Sequence, residues 1–555
     1  MGVPRTRSPV SAGNGMVACS QPLAGQVGLD ILKRGGSAVD AALATNAALA
    51  LMEPHMCGPG GDLFAIVWDA KAQQLHGLNA AGRAPASLSY LELARRLREL
   101  GAQRIPDYHI LSVSAPGAVH GWGALHEKFG RLPLADLLAP AIRYAQAGFP
   151  VSPVIAGEWQ AAVAVPPAAV PAAAAASVPG GFRALYAPGG KAPAAGELFI
   201  NKDLAHTYRL LAEGGVGAFY RGEPAQRIAG FMREHGGYLD HDDLAAQHSG
   251  WIAPVSVNYR GHEVCELPPQ GQGVTVLQML QMLKDDDLAG MGFMSAARLH
   301  LLLEVKKLVF EDRAKFYADP EFAELPLAGL LSARYNRQRR ALVGDTAANK
   351  VRAGAQLLRH GDTSYLTTAD SDGNMVSLIQ SIYHFFGSGI VVPGTGFALQ
   401  NRGLLFSMDP AHPNVYAPGK RPFHTIIPAF VMRDERPLLS FGVVGGDMQP
   451  QGQLQVLTNI IDFGMDVQQA GDAPRWRHDG STMPTGDNDD HLSDGGTVLV
   501  EPGISDQVIK DLTQRGHRVQ RDTCAFGGYQ AIMRGTNGVY HGASESRHDG
   551  QAAGY

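Results

Sequence analysis

At 555 residues, 45% of them hydrophobic and 18% charged, the chain has ordinary globular composition and length enough for a large α/β core. Its net charge of −5 gives no electrostatic case for nucleic acid or an anionic membrane surface. Four widely spaced cysteines, Cys19, Cys57, Cys265 and Cys524, form no C-x-x-C pair and argue against both a disulfide framework and a zinc site.

Met1 to Ala12 holds two arginines and no apolar stretch of the secretory kind, so the expected compartment is the cytoplasm. Ser20 is placed to cap a helix beginning near Pro22, which Gly35-Gly36 ends. Ser37-x-x-Asp40 is a capping-box-like start for the apolar helix running to Met52, whose apolar run from Ala41 is too short to span a bilayer. Gly58-Pro59-Gly60-Gly61 precedes a strand, whereas a phosphate-binding loop opens a helix. That strand, Leu63 to Trp68, is apolar on both faces and predicts a sheet covered by helices.

Helical patterns follow at Leu91–Leu100, Val119–Phe129, Leu134–Ala147, Leu204–Gly214, Pro224–Gly236 and Val274–Leu283. Ala161 to Ser177 is rich in Ala and Pro and reads as an irregular surface segment. Ser295–Ala318 predicts a long amphipathic helix exposing Glu304, Lys306, Lys307, Glu311 and Arg313. Arg337 to Gly361 is polar and reads as a flexible connector. Asp487 to His491 lacks the glycine spacing and terminal Glu of a calcium loop and is expected to be solvated. The chain has no G-x-x-x-x-G-K-[ST], H-E-x-x-H or G-x-S-x-G.

The stretch from His360 to Ser377 organises the rest. A Thr- and Tyr-rich strand, an Asp372-Gly373 turn and a strand from Met375 to Ile382 predict a β-hairpin. With Asp372-Gly373 as the central turn residues, Ser371 faces Asn374 and Thr363 faces Ile382, next to Ser381, to within one residue of register. A threonine at a strand start with a hydroxyl beside it has the elements of a nucleophile site, although threonine also serves strands by propensity alone.

Asp362-Thr363-Ser364, followed by Asp370-x-Asp372-Gly373-Asn374 and Phe386-Gly387-Ser388-Gly389, resembles the region around the processed threonine of the γ-glutamyltransferase family. The resemblance runs almost end to end. It takes in Gly58-Pro59-Gly60-Gly61, Phe219-Tyr220-Arg221-Gly222, the stretch Glu266 to Gly273, Gly445-Gly446 and Gly542-Ala543-Ser544-Glu545-Ser546. It implies the four-layered αββα sandwich of the N-terminal-nucleophile hydrolases and autocatalytic cleavage between Asp362 and Thr363. Residues 1–362 would form a large segment, 363–555 a small one, and the two together one αββα body. It further implies Thr363 as nucleophile, Ser381 as its hydrogen-bonding hydroxyl, and the Gly445 and Gly446 amides as oxyanion donors. No metal or organic cofactor is expected.

In the substrate pocket the sequence departs from the family pattern. The carboxylate-binding Arg falls on Ala81, with Arg83 two places on. The Asp that receives an α-ammonium falls on Leu405, the Ser-Ser pair becomes His424-Thr425, and an Asn near the nucleophile becomes Tyr383. A buried ammonium without an anionic partner is costly, so an amino-acid acyl group is disfavoured. Arg83, Arg402 and His424 instead suggest an acidic acyl group, since guanidinium pairs well with carboxylate. The expectation is an amidohydrolase for a small acidic amide, of the oxamate amidohydrolase or acylase kind. A homodimer of cleaved heterodimers is the assembly to test, with no nucleic-acid or membrane partner. Two alternatives stand beside it: γ-glutamyl transfer or glutathione hydrolysis with Arg83 holding the carboxylate, and an uncut, catalytically silent binding protein.

Overall fold

The computed structural model describes residues 5–164, 181–351, 362–481, 483–485, 495–523 and 526–555. Most of the Ala/Pro-rich segment, the end of the connector before Asp362 and the acidic stretch 487–491 lie outside them, as does Cys524. The other three cysteines are free and buried. Among the described residues no helix is long and apolar enough to cross a membrane.

Two seven-stranded antiparallel sheets face each other. One runs in the order 551–554, 16–19, 362–369, 375–383, 62–69, 74–80 and 250–252. The other runs 10–12, 540–544, 529–534, 436–443, 429–433, 262–266 and 255–259. Met16, Phe64, Ile66, Tyr365 and Ile379 of the first meet Phe430, Met432, Ile532 and Tyr540 of the second in a core between the sheets. Helices Pro22–Lys33, Ala38–Met52 and Ala118–Phe129 cover the outer face of the first sheet. Helices Gly273–Leu283, Ala296–Phe316 and Met448–Ile461 cover the second. The layering is helix, sheet, sheet, helix, as the resemblance implied. Each sheet mixes strands from both sides of position 362.

Local chemistry explains the element starts. Ser37 and Asp40 form the reciprocal capping box at the head of Ala38–Met52. The first helix is capped by Gln21 rather than Ser20, its side chain accepting from the Ala24 amide at 2.9 Å, because Ser20 is engaged with Glu53. The larger correction concerns Ala296–Phe316. Glu304, Lys306, Lys307 and Arg313 are buried, and only Glu311 is partly exposed. From Arg298 to Phe310 every residue of the helix is buried, and two of its cations are paired inside the protein: Lys307 with Glu304 at 2.7 Å and Arg313 with Asp447 at 2.7 Å. An amphipathic reading assigns every charge to water, and here ion pairing replaces water.

Candidate active site

The hairpin forms between Asp362–Ala369 and Met375–Tyr383, joined by residues 370–374 rather than by a two-residue turn. The Asp370 carboxylate causes the longer loop. One oxygen accepts from the Asp372 and Asn374 amides at 3.0 Å, and the other accepts from the Ala38 amide at 2.9 Å. Ser364 therefore faces Gln380, one place off the two-residue-turn register, while Asp362 faces Tyr383. Thr363 lies at the resulting bulge, opposite Ser381 and Ile382 together. Bulges re-aim side chains, and this one sits where the strand enters the site.

Thr363 is buried, and the Gln449 side chain donates to its hydroxyl at 3.4 Å. Gln449 is the second residue of the helix Met448–Ile461, three places after Gly446, and its carbonyl end accepts from the Ile427 amide at 3.0 Å. Both glycines have positive φ, +110° and +57°, so the strand turns into the helix through a backbone that a side chain would strain. The Gly445 carbonyl accepts from the Met448 amide at 2.9 Å. Across that trans peptide the Gly446 N–H points away from the helix. Among the described residues, neither glycine amide has a protein acceptor.

Behind the bulge four of the expected residues come together. Arg402 donates to Ser381 at 2.8 Å and to the Thr425 hydroxyl at 2.7 Å, with its guanidinium 4.5 Å from the centre of the Tyr383 ring. Tyr383 itself adopts a left-handed φ of +79°. Arg402 is fully buried, and burial pulls its pKa down to about 10 against the field of Asp62. Among the described residues no carboxylate lies within 4 Å of it to form an ion pair. Asp62 pairs with Ser381 across the sheet and accepts from His424 at 3.0 Å.

His424 is therefore not the cation the sequence suggested. Burial, with Arg402 adding to it, lowers its pKa to about 4. Its Nε2 donates to Asp62 and its Nδ1 accepts from the Ile426 amide at 3.3 Å, the pattern of one neutral tautomer. Arg83 is engaged elsewhere, both oxygens of Glu321 lying 2.8 Å from its Nη2. It sits as a structural ion-pair residue beside Arg421, which shares Glu321.

A second polar group flanks Thr363. Glu53 accepts from Ser364 at 2.5 Å and from Ser20 at 2.8 Å, and burial raises its pKa. Glu53, Glu158, His548 and Asp549 line a pocket that Thr363 also lines. Glu158 bridges His55 at 3.1 Å and His548 at 3.3 Å. Burial opposes charge on His548, yet Glu158 overrides it and holds the imidazole up at about 9. Sequence reading missed Glu53, Asp62 and Gln449, because none stands in a spacing that announces chemistry. Only the fold brings them to Thr363 or its neighbours.

The cluster with metal-ligand chemistry among the described residues is His300, Glu304 and His517. Glu304 is taken by Lys307 and by the Ala348 amide at 3.0 Å, and His300 by His517 at 2.8 Å and the Gly344 carbonyl at 2.9 Å. A lysine ammonium already supplies the positive charge there. The group works as a clamp on residues 344–348.

The family model for gamma-glutamyltranspeptidase matches residues 24–555. The glutathione hydrolase-like YwrD proenzyme of Bacillus subtilis strain 168 is 38% identical, over 97% of this chain and 98% of its own. The oxamate amidohydrolase proenzyme of Klebsiella pneumoniae is 34% identical, over 98% of each chain. A crystal structure of cephalosporin acylase from Bacillus halodurans superposes with a TM-score of 0.90 at 44% identity, covering 100% of this chain and 98% of that one. The chain belongs to the γ-glutamyltranspeptidase family of N-terminal-nucleophile enzymes, which act on amide C–N bonds.

Proposed function

We propose that the chain is a proenzyme that cuts itself between Asp362 and Thr363 and, as segments 1–362 and 363–555, hydrolyses the amide of a small acid. Cleavage begins when the Thr363 hydroxyl attacks the Asp362 carbonyl, and water resolves the ester. A free α-amine has a reference pKa of about 8, so cleavage gives Thr363 a base, neutral in appreciable fraction at physiological pH, beside its own hydroxyl. The hydroxyl passes its proton to that amine as it attacks the substrate carbonyl, and the Gly445 and Gly446 amides donate to the developing oxyanion. The intermediate collapses by breaking the C–N bond and expelling the substrate's amine with the proton, and water then releases the acid from the ester.

The observation that carries the acidic acyl group is Arg402. A fully buried guanidinium, spanning Ser381 and Thr425 with no carboxylate in contact among the described residues, is a ready receptor for a substrate carboxylate. With Leu405 in place of an acid, nothing at that position balances an α-ammonium. This favours an oxamate-like or dicarboxylic acylamide over a γ-glutamyl donor.

The test is intact mass under denaturing conditions, wild type beside Thr363→Ala, followed by hydrolysis assays on oxamate, a glutaryl amide and a γ-glutamyl anilide. Two fragments, the smaller starting at Thr363 and absent from the variant, with turnover of the first two substrates, are expected. A wild type that stays one chain would sink the reading and leave a binding protein; preferential turnover of the anilide would overturn the substrate class.

A further inference from the structure

We propose that Gln272 is a positioning residue for the oxyanion loop, an inference that rests on the hydrolase reading above. Gln272 is buried and directly precedes the helix Gly273–Leu283, yet its side chain caps nothing there. It is turned instead toward the site. Its Nε2 donates both hydrogens, one to the Thr425 carbonyl at 2.7 Å and one to the Gly446 carbonyl at 3.0 Å. Its Oε1 accepts from Arg313 at 2.6 Å. The amide has only one workable orientation, because two of its partners are carbonyls that only accept and the third is a guanidinium that only donates.

The consequence falls on the glycine pair. The Gly446 carbonyl is held by Gln272 and also accepts from the Gln449 amide at 3.2 Å. The next residue, Asp447, is held by the same Arg313 at 2.7 Å. Gln272 and Arg313 thus grip the carbonyl and the following side chain of a glycine whose φ is +57° and whose backbone would otherwise be free to turn. Through the Thr425 carbonyl, Gln272 also ties this loop to the residue whose hydroxyl binds Arg402. One buried amide sets the loop that stabilises the transition state against the wall that binds the acyl group. Donors fixed in advance cost no reorganisation when charge develops, which is where such a residue acts.

Gln272→Glu tests this. The side chain keeps its size and its contact to Arg313 but presents oxygen to two carbonyls, so the loop is pushed rather than held. The expected result is a kcat lower by roughly 10²–10³-fold, the scale of losing one oxyanion donor. KM should stay close to wild type, and the second fragment should appear more slowly. Gln272→Met, nearly isosteric and uncharged, repeats the test if the glutamate variant does not fold; it should show the same drop in kcat with unchanged KM. Wild-type kcat in a folded variant would overturn the role of Gln272 while leaving the hydrolase reading intact. A rise in KM as large as the fall in kcat would overturn it in favour of plain packing. An uncut, inert wild type would overturn both.

Discussion

Arg402 donates to Ser381 across 2.8 Å, so a fully buried guanidinium and the hydroxyl opposite Thr363 are one hydrogen-bonded unit. Arg402→Met removes a charge-assisted contact of about 1.5–3 kcal/mol. Turnover of an acidic amide should fall by roughly 10–150-fold in kcat/KM. A neutral acyl amide should lose far less. Equal losses on both substrates would show that Arg402 only holds Ser381 in place.

Gly445→Ala should stall both self-cleavage and turnover. Its φ of +110° is outside the range alanine adopts without strain, and the added carbon would meet Met448 Cβ at 3.3 Å. A displaced amide donor costs roughly 10²–10³-fold in rate. The time course of fragment formation, followed by mass, measures this, and wild-type kinetics would remove the glycine pair from the mechanism.

Stability should fall as pH rises from neutral. His548 is held at about 9 in the folded protein against an ordinary 6.5. A raised folded pKa contributes stability that is fully present below about 6.5 and is lost as pH climbs through about 9. His548→Asn should flatten that part of the curve. Parallel melting curves for the two proteins across this range would contradict the assignment.

Lys307→Met should destabilise the protein by roughly 3–5 kcal/mol, because it leaves Glu304 buried beside an uncharged neighbour. The denaturant midpoint reads this directly. A near-neutral result would mean that the hydrogen bond from the Ala348 amide alone suffices for the Glu304 carboxylate.

The hairpin and the capping box at Ser37 were legible because each rests on local pattern: Thr- and Tyr-rich strand residues, a Gly turn, a Ser-x-x-Asp start; the four-layer arrangement was reached through the resemblance. The turn length was not, because it depends on the Asp370 carboxylate reaching both the loop amides and a helix start far away in sequence. The charges of Ala296–Phe316 were misplaced for a related reason. Sequence shows that Lys307 and Glu304 share a face, but not that other elements cover that face. In the site, Thr363, Ser381 and the glycines were reached through resemblance, and Arg402 through its departure from it. Arg83 and His424 carried the right side-chain type for an anion, yet Glu321 and Asp62 had already claimed them. Partners from distant strands decide such cases.

The hairpin that begins at Asp362 is the middle of its sheet, flanked on one side by Met16–Cys19 and on the other by Asp62–Asp69. A cut before Thr363 leaves every one of those neighbours in place. The two products would be topologically interleaved from the moment they exist, with no second-order assembly step and no concentration below which they drift apart. Diluting the cleaved protein should leave its activity per molecule unchanged, and separating the chains should require melting both sheets at once.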